Sequence, residues 1–146
     1  MRKINFLLLA FILLGTLQII GCKKKNDPLS LNELIQKSWS AKEVKENGTK
    51  VFEAGMPNNT ADYSKFKLEF LNATDVRLTE LDGNVSTGKW SLNGPALSLT
   101  QLTPEPTLTG GKIDFSSVSV TESELKITRT GTNAKTGRSN TEYVLR

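Results

Sequence analysis

From Trp39 to the end of the chain, apolar and polar residues alternate with a period of two. Clusters of Gly, Asn, Asp and Pro interrupt the alternation about every eight to twelve residues. This pattern predicts short β-strands joined by tight turns. Trp39–Lys45 and Lys50–Ala54 flank Asn47-Gly48, the signal of a hairpin with a primed turn. Lys65–Leu71 sets Phe66, Leu68 and Phe70 on one face and Lys65, Lys67 and Glu69 on the other. Asp75–Leu81 turns Val76 and Leu78 inward, and Asp82-Gly83 marks a second hairpin into Asn84–Leu92, which carries Trp90 and Leu92 on one face. Ala96–Leu102 carries Leu97 and Leu99 inward. In Ile113–Val120 the apolar phase slips between Phe115 and Val118, which predicts a bulge near Ser116-Ser117. Glu124–Thr130, with Leu125 and Ile127, and Thr141–Arg146, with Tyr143 and Leu145, complete the series.

Ahead of the strands the period changes. Leu31, Leu34 and Ile35 form a small apolar face over Leu31–Lys37, with Ser30 as N-cap and Glu33 completing a capping box. One leading helix and about nine strands with nearest-neighbour hairpins leave no crossover helices for a parallel sheet. The predicted fold is all-β: an antiparallel up-and-down barrel of about eight or nine strands, because a long meander removes its exposed edges by closing on itself. A two-sheet sandwich is the other architecture this pattern can serve. Residues 55–64, 103–112 and 131–138 are the loops, the last a Gly/Asn/Lys turn expected to be mobile.

The first residues follow a different logic. Met1-Arg2-Lys3 is basic, and Ile4–Ile20 is apolar apart from Asn5, Gly15, Thr16 and Gln18. This run is slightly short for a membrane span of about 20 apolar residues, and its basic start fits a secretory signal. Its end, Ile19-Ile20-Gly21-Cys22, resembles the lipobox of bacterial lipoproteins, although Ile19 stands where Leu is usual. The resemblance implies cleavage between Gly21 and Cys22 and acylation of Cys22 through its thiolate. Two or three acyl chains, at about 0.8 kcal/mol per buried CH₂, make a durable anchor. The competing reading is an uncleaved helix with an incidental Cys22. The expected organisation is a signal peptide over 1–21, a tether over 22–29 and one domain over 30–146, exported to a bacterial cell envelope. Lys23-Lys24-Lys25 after the anchor can touch anionic headgroups or act as a solvated spacer. In some lipoproteins of Gram-negative bacteria acidic residues just after the acylated Cys resemble a surface-export signal; lysines stand there in this chain, so the resemblance implies an outer-membrane position facing the periplasm rather than the cell surface.

Charge and composition then narrow the chemistry. The chain is +4, with 19 Lys and Arg against 15 Asp and Glu. The five basic residues at positions 2, 3 and 23–25 belong to the ends, so the remainder is close to neutral and lacks the basic excess of a nucleic-acid binder. Histidine is absent and Cys22 is the sole cysteine. This removes His-based acid/base chemistry, Ser-His-Asp and Cys-His nucleophiles, the usual zinc sites and any intrachain disulfide. No phosphate-binding glycine fingerprint is present. The expectation is a protein without catalytic activity, cofactor or metal.

Leu31-Asn32-Glu33-Leu34-Ile35-Gln36-Lys37-Ser38-Trp39, Gly88-Lys89-Trp90-Ser91-Leu92, the following Ala96–Thr100 and the closing Glu142-Tyr143-Val144-Leu145 together resemble the lipocalin-like domains of bacterial lipoproteins. The likeness spans Leu31 to Arg146 and rests on order and spacing. One departure is Lys37, where lipocalins usually carry Gly two residues before the first-strand Trp. The resemblance implies a barrel, sometimes with an internal cavity for a small apolar ligand. It also implies that a late Arg packs over the first-strand Trp, so Arg129 would close the barrel floor with Trp39.

Three strands extend their apolar phase into a polar residue: Val76-Leu78-Glu80, Leu97-Leu99-Gln101 and Leu125-Ile127-Arg129. If the phase holds, Glu80, Gln101 and Arg129 point inward near the barrel ends, where a buried charge needs a partner. Arg129 then serves barrel closure, or one of the three orients a ligand. The inward aromatics Phe66, Phe70 and Phe115 serve the core or line a pocket. The expected ligand pocket comprises Phe66, Phe70, Leu78, Glu80, Leu99, Gln101 and Arg129. The main functional expectation is a lipid-anchored envelope protein binding a small apolar molecule in the barrel. The alternative is a non-enzymatic protein-interaction module, an accessory subunit or inhibitor, that presents its loops to a protein partner. An internal cavity lined by Phe66, Phe70, Leu78 and Leu99 separates the first from the second.

Overall fold

The computed structural model describes residues 29–146. The expectations for the signal segment, Gly21 and Cys22 lie outside these residues. A short helix α1 (Leu31–Ile35) is followed by β1 (Ser38–Glu46), β2 (Thr49–Glu53), β3 (Lys67–Phe70), β4 (Asp75–Thr79), β5 (Val85–Asn93), β6 (Ala96–Thr103), β7 (Ile113–Val120), β8 (Leu125–Asn133) and β9 (Arg138–Leu145). Every pairing is antiparallel and sequential from β3 to β9, and β1 joins β3 on one side and β9 on the other. The eight strands β1 and β3–β9 therefore close a ring. β2 stays outside it, paired only to the second half of β1.

Local chemistry explains these elements. Asn47 and Gly48 both take positive φ, 49° and 80°, the requirement of the primed turn read from Asn-Gly. Ser30 and Glu33 form the reciprocal capping box, and the helix ends after Ile35 rather than Lys37. Ser117 sits at φ 55° and the β7–β8 register shifts between Ser116 and Ser119, which places the bulge as expected.

A second bulge was not legible in the alternation. Between Ala41 and Glu43 the β1–β9 register slips, so the inward phase moves from Trp39 and Ala41 to Val44 and Glu46. A third slip lies between Thr87 and Lys89 in the β5–β6 pairing, opposite Gln101 at φ 54°.

The core runs through the ring, with Trp39, Leu68, Val76, Leu97, Leu99, Leu125 and Leu145 almost fully buried. α1 borders one end, where Ile35 is buried and the Lys37 ammonium donates to the Glu122 carbonyl. The β4–β5, β6–β7 and β8–β9 connections gather at the other end, here called the mouth. The chain between β2 and β3 bonds to the Val51 carbonyl through the Thr60 and Ala61 N–H groups and inserts Tyr63 and Phe66 into the ring's interior. Among the described residues, no helix is long and apolar enough to cross a membrane.

Candidate functional site

The interior at mid-height is occupied by the protein's own side chains. Phe66 stacks on Tyr143 with ring centroids 4.6 Å apart, and Tyr63 and Phe115 meet Tyr143 edge-on. Phe70 packs edge-on to Trp90. Phe66, Phe70, Leu78 and Leu99 are each buried among such neighbours, as an eight-stranded ring is just wide enough for side chains to fill it. The described depressions lie instead on the outer wall and the rims, and none is lined by those four residues.

Two expected placements are corrected. Gln101 does not point inward: its left-handed backbone makes the bulge that turns it to solvent and brings Leu102 into the core. Gln101 instead lines a shallow groove of about 410 Å³ on the outer wall with Leu71, Thr87 and Lys89. Arg129 does not cover Trp39. Arg129 is paired with Thr141 and Thr141 with Glu46, whereas Trp39 lies seven residues before Glu46 on β1. At about 3.3 Å per residue this separates them by roughly 20 Å along the strand. The cation over Trp39 is Lys37, with Nζ 4.4 Å from the ring centroid, so the residue that departs from the lipocalin pattern caps the Trp itself. The Trp39 indole N–H donates to the Ile35 carbonyl at 2.9 Å.

What the strands bring together is a polar row at the mouth. Glu46 on β1, Thr141 on β9 and Arg129 on β8 stand directly opposite one another, all facing inward and only 8%, 1% and 7% exposed. One residue pair deeper the same strands carry Val44, Tyr143 and Ile127, which are apolar but for the Tyr143 hydroxyl. The Glu46 carboxylate accepts from the Tyr63 hydroxyl at 2.6 Å and lies 3.6 Å from Arg138 Nε. Arg129 forms no ion pair with a carboxylate among the described residues; its guanidinium lies near the Tyr143 hydroxyl.

Burial pushes the Tyr143 phenol up to about 12, while the nearby Arg129 charge pulls the other way. Burial also drives Tyr63 well above the ordinary phenol range, helped by Tyr143 and by its hydrogen bond to Glu46. Both phenols are therefore neutral hydrogen-bond donors at neutral pH.

A second polar group closes over the mouth. Lys135, from the β8–β9 turn, lies 2.6 Å from both Glu80 and Asp82 of the β4–β5 turn, across 53 residues of sequence. Glu80 and Lys135 are largely buried, with side chains 7% and 11% exposed. The turn holding Lys135 is braced by Asn133, whose carbonyl accepts from Thr136 and Gly137 and whose side chain accepts from the Lys135 N–H. These contacts brace the turn within residues 131–138, which composition alone reads as an open Gly/Asn/Lys turn. Beside the pair, Ser86 donates to the Pro104 carbonyl at 2.6 Å, and a cleft of about 250 Å³ opens between Glu80, Ser86 and Pro104–Thr107.

Of the residues singled out from the sequence, Glu80 and Arg129 share this mouth, Phe66 and Leu78 belong to the filled interior, and Phe70 and Leu99 lie in the core away from the mouth. Sequence reading missed Glu46, Tyr63, Thr141 and Lys135. Thr141 could have been found, since it extends the Tyr143-Leu145 phase. Glu46 was hidden by the slip after Ala41, which sets it in the inward phase of Val44 rather than that of Trp39. Nothing local marks Tyr63 or Lys135, which are placed by long-range packing. Among the described residues no group of three or more His, Cys, Asp or Glu forms a metal-binding cluster.

No protein-family model matches the chain, and no curated protein gives a significant match. Among solved structures it is similar to a lipocalin-like protein from Bacteroides uniformis, with 17% identity and a TM-score of 0.49 over 77% of this chain and 97% of that one. It is also similar to an uncharacterized protein from Bacteroides eggerthii, with 15% identity and a TM-score of 0.45 over 75% and 96% of the two chains. At these identities the likeness concerns the fold alone. The all-β, eight-stranded up-and-down ring stands on the strand pairing itself.

Proposed function

We propose that this chain is a lipid-anchored, lipocalin-like protein of a bacterial cell envelope that binds a small molecule at the barrel mouth, without catalysis. The observation that carries this reading is the inward polar row Glu46–Thr141–Arg129 beneath a hairpin tied across the opening by Lys135. Buried polar groups cost stability unless they are paired, so a barrel held only by its core has no reason to keep them at one end. The filled interior moves the ligand from the deep apolar pocket expected from Phe66, Phe70, Leu78 and Leu99 to the rim. The lipobox-like Ile19-Ile20-Gly21-Cys22 supports the anchor and the envelope location. Within residues 55–64, 103–112 and 131–138 the large exposed apolar side chains are Met56 and Leu108, on separate loops, which gives the interaction-module alternative less support than the mouth gives the binder.

Native mass spectrometry of the full-length protein purified from its own envelope tests this reading. A copurifying small molecule that is lost on mild activation, and lost in a variant with the mouth polar row altered, is the expected result. A clean apo mass under conditions that retain lipids on other envelope proteins, with a protein partner copurifying instead, sinks the binder in favour of the interaction module.

A further inference from the structure

We propose that the polar row at the mouth is an anion site, built to take the carboxylate of a small monocarboxylic acid between Arg129, Thr141 and Tyr143. This rests on the binder reading above and names the chemistry of its ligand. Two observations point to a missing partner. Arg129 is 7% exposed yet meets no carboxylate within ion-pair distance among the described residues. The Thr141 hydroxyl, in a residue 1% exposed, is a buried side-chain oxygen left without a hydrogen-bond partner. The two residues are direct cross-strand neighbours, so the unpaired charge and the unpartnered hydroxyl lie side by side on the inner wall.

The neighbouring groups define what fits. Glu46 is already engaged by Tyr63 and Arg138, and Glu80 and Asp82 by Lys135. Arg129 is thus the inward cation whose charge is left over. A guanidinium presents a planar fork of donors that matches the two oxygens of a carboxylate. The Tyr143 phenol, held neutral, and the Thr141 hydroxyl can each donate to the same group. A trapped water would satisfy Thr141 and still leave the Arg129 charge unbalanced. A dianion is disfavoured, because Glu46 and Glu80 face the same opening. Phe66, Tyr143 and Phe115 fill the space below, so the acid's apolar body points toward the mouth and must be short.

The full-length chain in phospholipid nanodiscs, titrated calorimetrically with sodium hexanoate, 1-hexanol and hexylammonium against empty discs, tests the site. Hexanoate should bind at least about tenfold tighter than 1-hexanol, with no binding of hexylammonium. Arg129→Met should abolish that preference and raise the Tm by roughly 3 °C or more, because a buried charge without a partner is removed. Thr141→Val should weaken hexanoate about threefold without lowering the Tm. Equal binding of hexanoate and hexanol, or hexanoate binding untouched in Arg129→Met, overturns the anion site and leaves the mouth binder standing. A lowered Tm or lost fold in Arg129→Met marks Arg129 as structural and overturns it too. Absence of any hexanoate binding also overturns it, the mouth binder then standing or falling on copurification.

Discussion

Gly88 shows how one residue sets the wall of the barrel. A Cβ at this position would lie 2.5 Å from the Thr100 carbonyl oxygen and 3.1 Å from Leu102, both parts of the β6 segment that bulges at Gln101. The glycine therefore lets β5 and β6 approach while Gln101 flips outward and Leu102 inward. Gly88→Ala should destabilise the fold by about 3 kcal/mol, read as a lower midpoint in chemical denaturation. An unchanged midpoint would mean that the bulge relaxes freely. The same bulge is why Gln101 was misplaced from the sequence. Alternation carries a phase forward only until a left-handed residue inserts itself, and glutamine gives no warning of adopting φ 54°. Glu46 was hidden in the same manner by the slip after Ala41.

At the scale of elements, the β8–β9 hairpin is the part whose role composition concealed. Its Gly, Asn and Lys residues suit an open turn, but Lys135 ties it to β4–β5 through Glu80 and Asp82. The hydrogen bond from Lys135 holds the Asp82 carboxyl below its usual range. Burial opposes the charge on Lys135, yet hydrogen bonds to Asp82 and Glu80 hold its ammonium above the ordinary range. The contribution of Asp82 is present above its unfolded value and lost as pH falls through the lower folded one. That of Lys135 is present below its unfolded value and lost as pH rises through the higher folded one. The tie should hold from roughly pH 4 to pH 10 and loosen outside that window. Lys135→Met leaves the Glu80 carboxylate buried without its cation and should cost about 3 kcal/mol. Hydrogen exchange checks it: amides of residues 133–137 should exchange faster in the variant at neutral pH, while those of β6 and β7 stay protected. Uniform acceleration across the barrel would show the tie to be part of the global fold rather than a local latch.

For the molecule as a whole, closure depends on β1 meeting β9, a pairing across about a hundred residues of chain. It leaves β2 outside the ring on the upper half of β1, and the chain after β2 then supplies Tyr63 and Phe66 to the interior. The described domain is close to neutral, so the proposed attachment to a membrane rests on the N-terminal segment rather than on a charged face. Cys22→Ser should abolish incorporation of an alkynyl palmitate label and leave the unprocessed form, resolved as a slower band by gel electrophoresis. Undiminished labelling would place acylation elsewhere, and normal processing without label would separate cleavage from anchoring.

The strand count, the hairpin turns, the Ser117 bulge and the capped helix were all legible in the sequence, because each depends on neighbours within a few residues. The closed antiparallel barrel followed from them, since nine short strands without crossovers have few other ways to bury one face and hide their edges. Tertiary structure alone decided what lies inside. Which strand stays out of the ring, which residues face in after a bulge, and how Glu46, Thr141 and Arg129 come level are matters of register between distant segments. Lys37 over Trp39 and Lys135 over the mouth depend on the same long-range closure. Side-chain alternation fixes which residues share a face within a strand, but only the pairing of strands determines which faces meet.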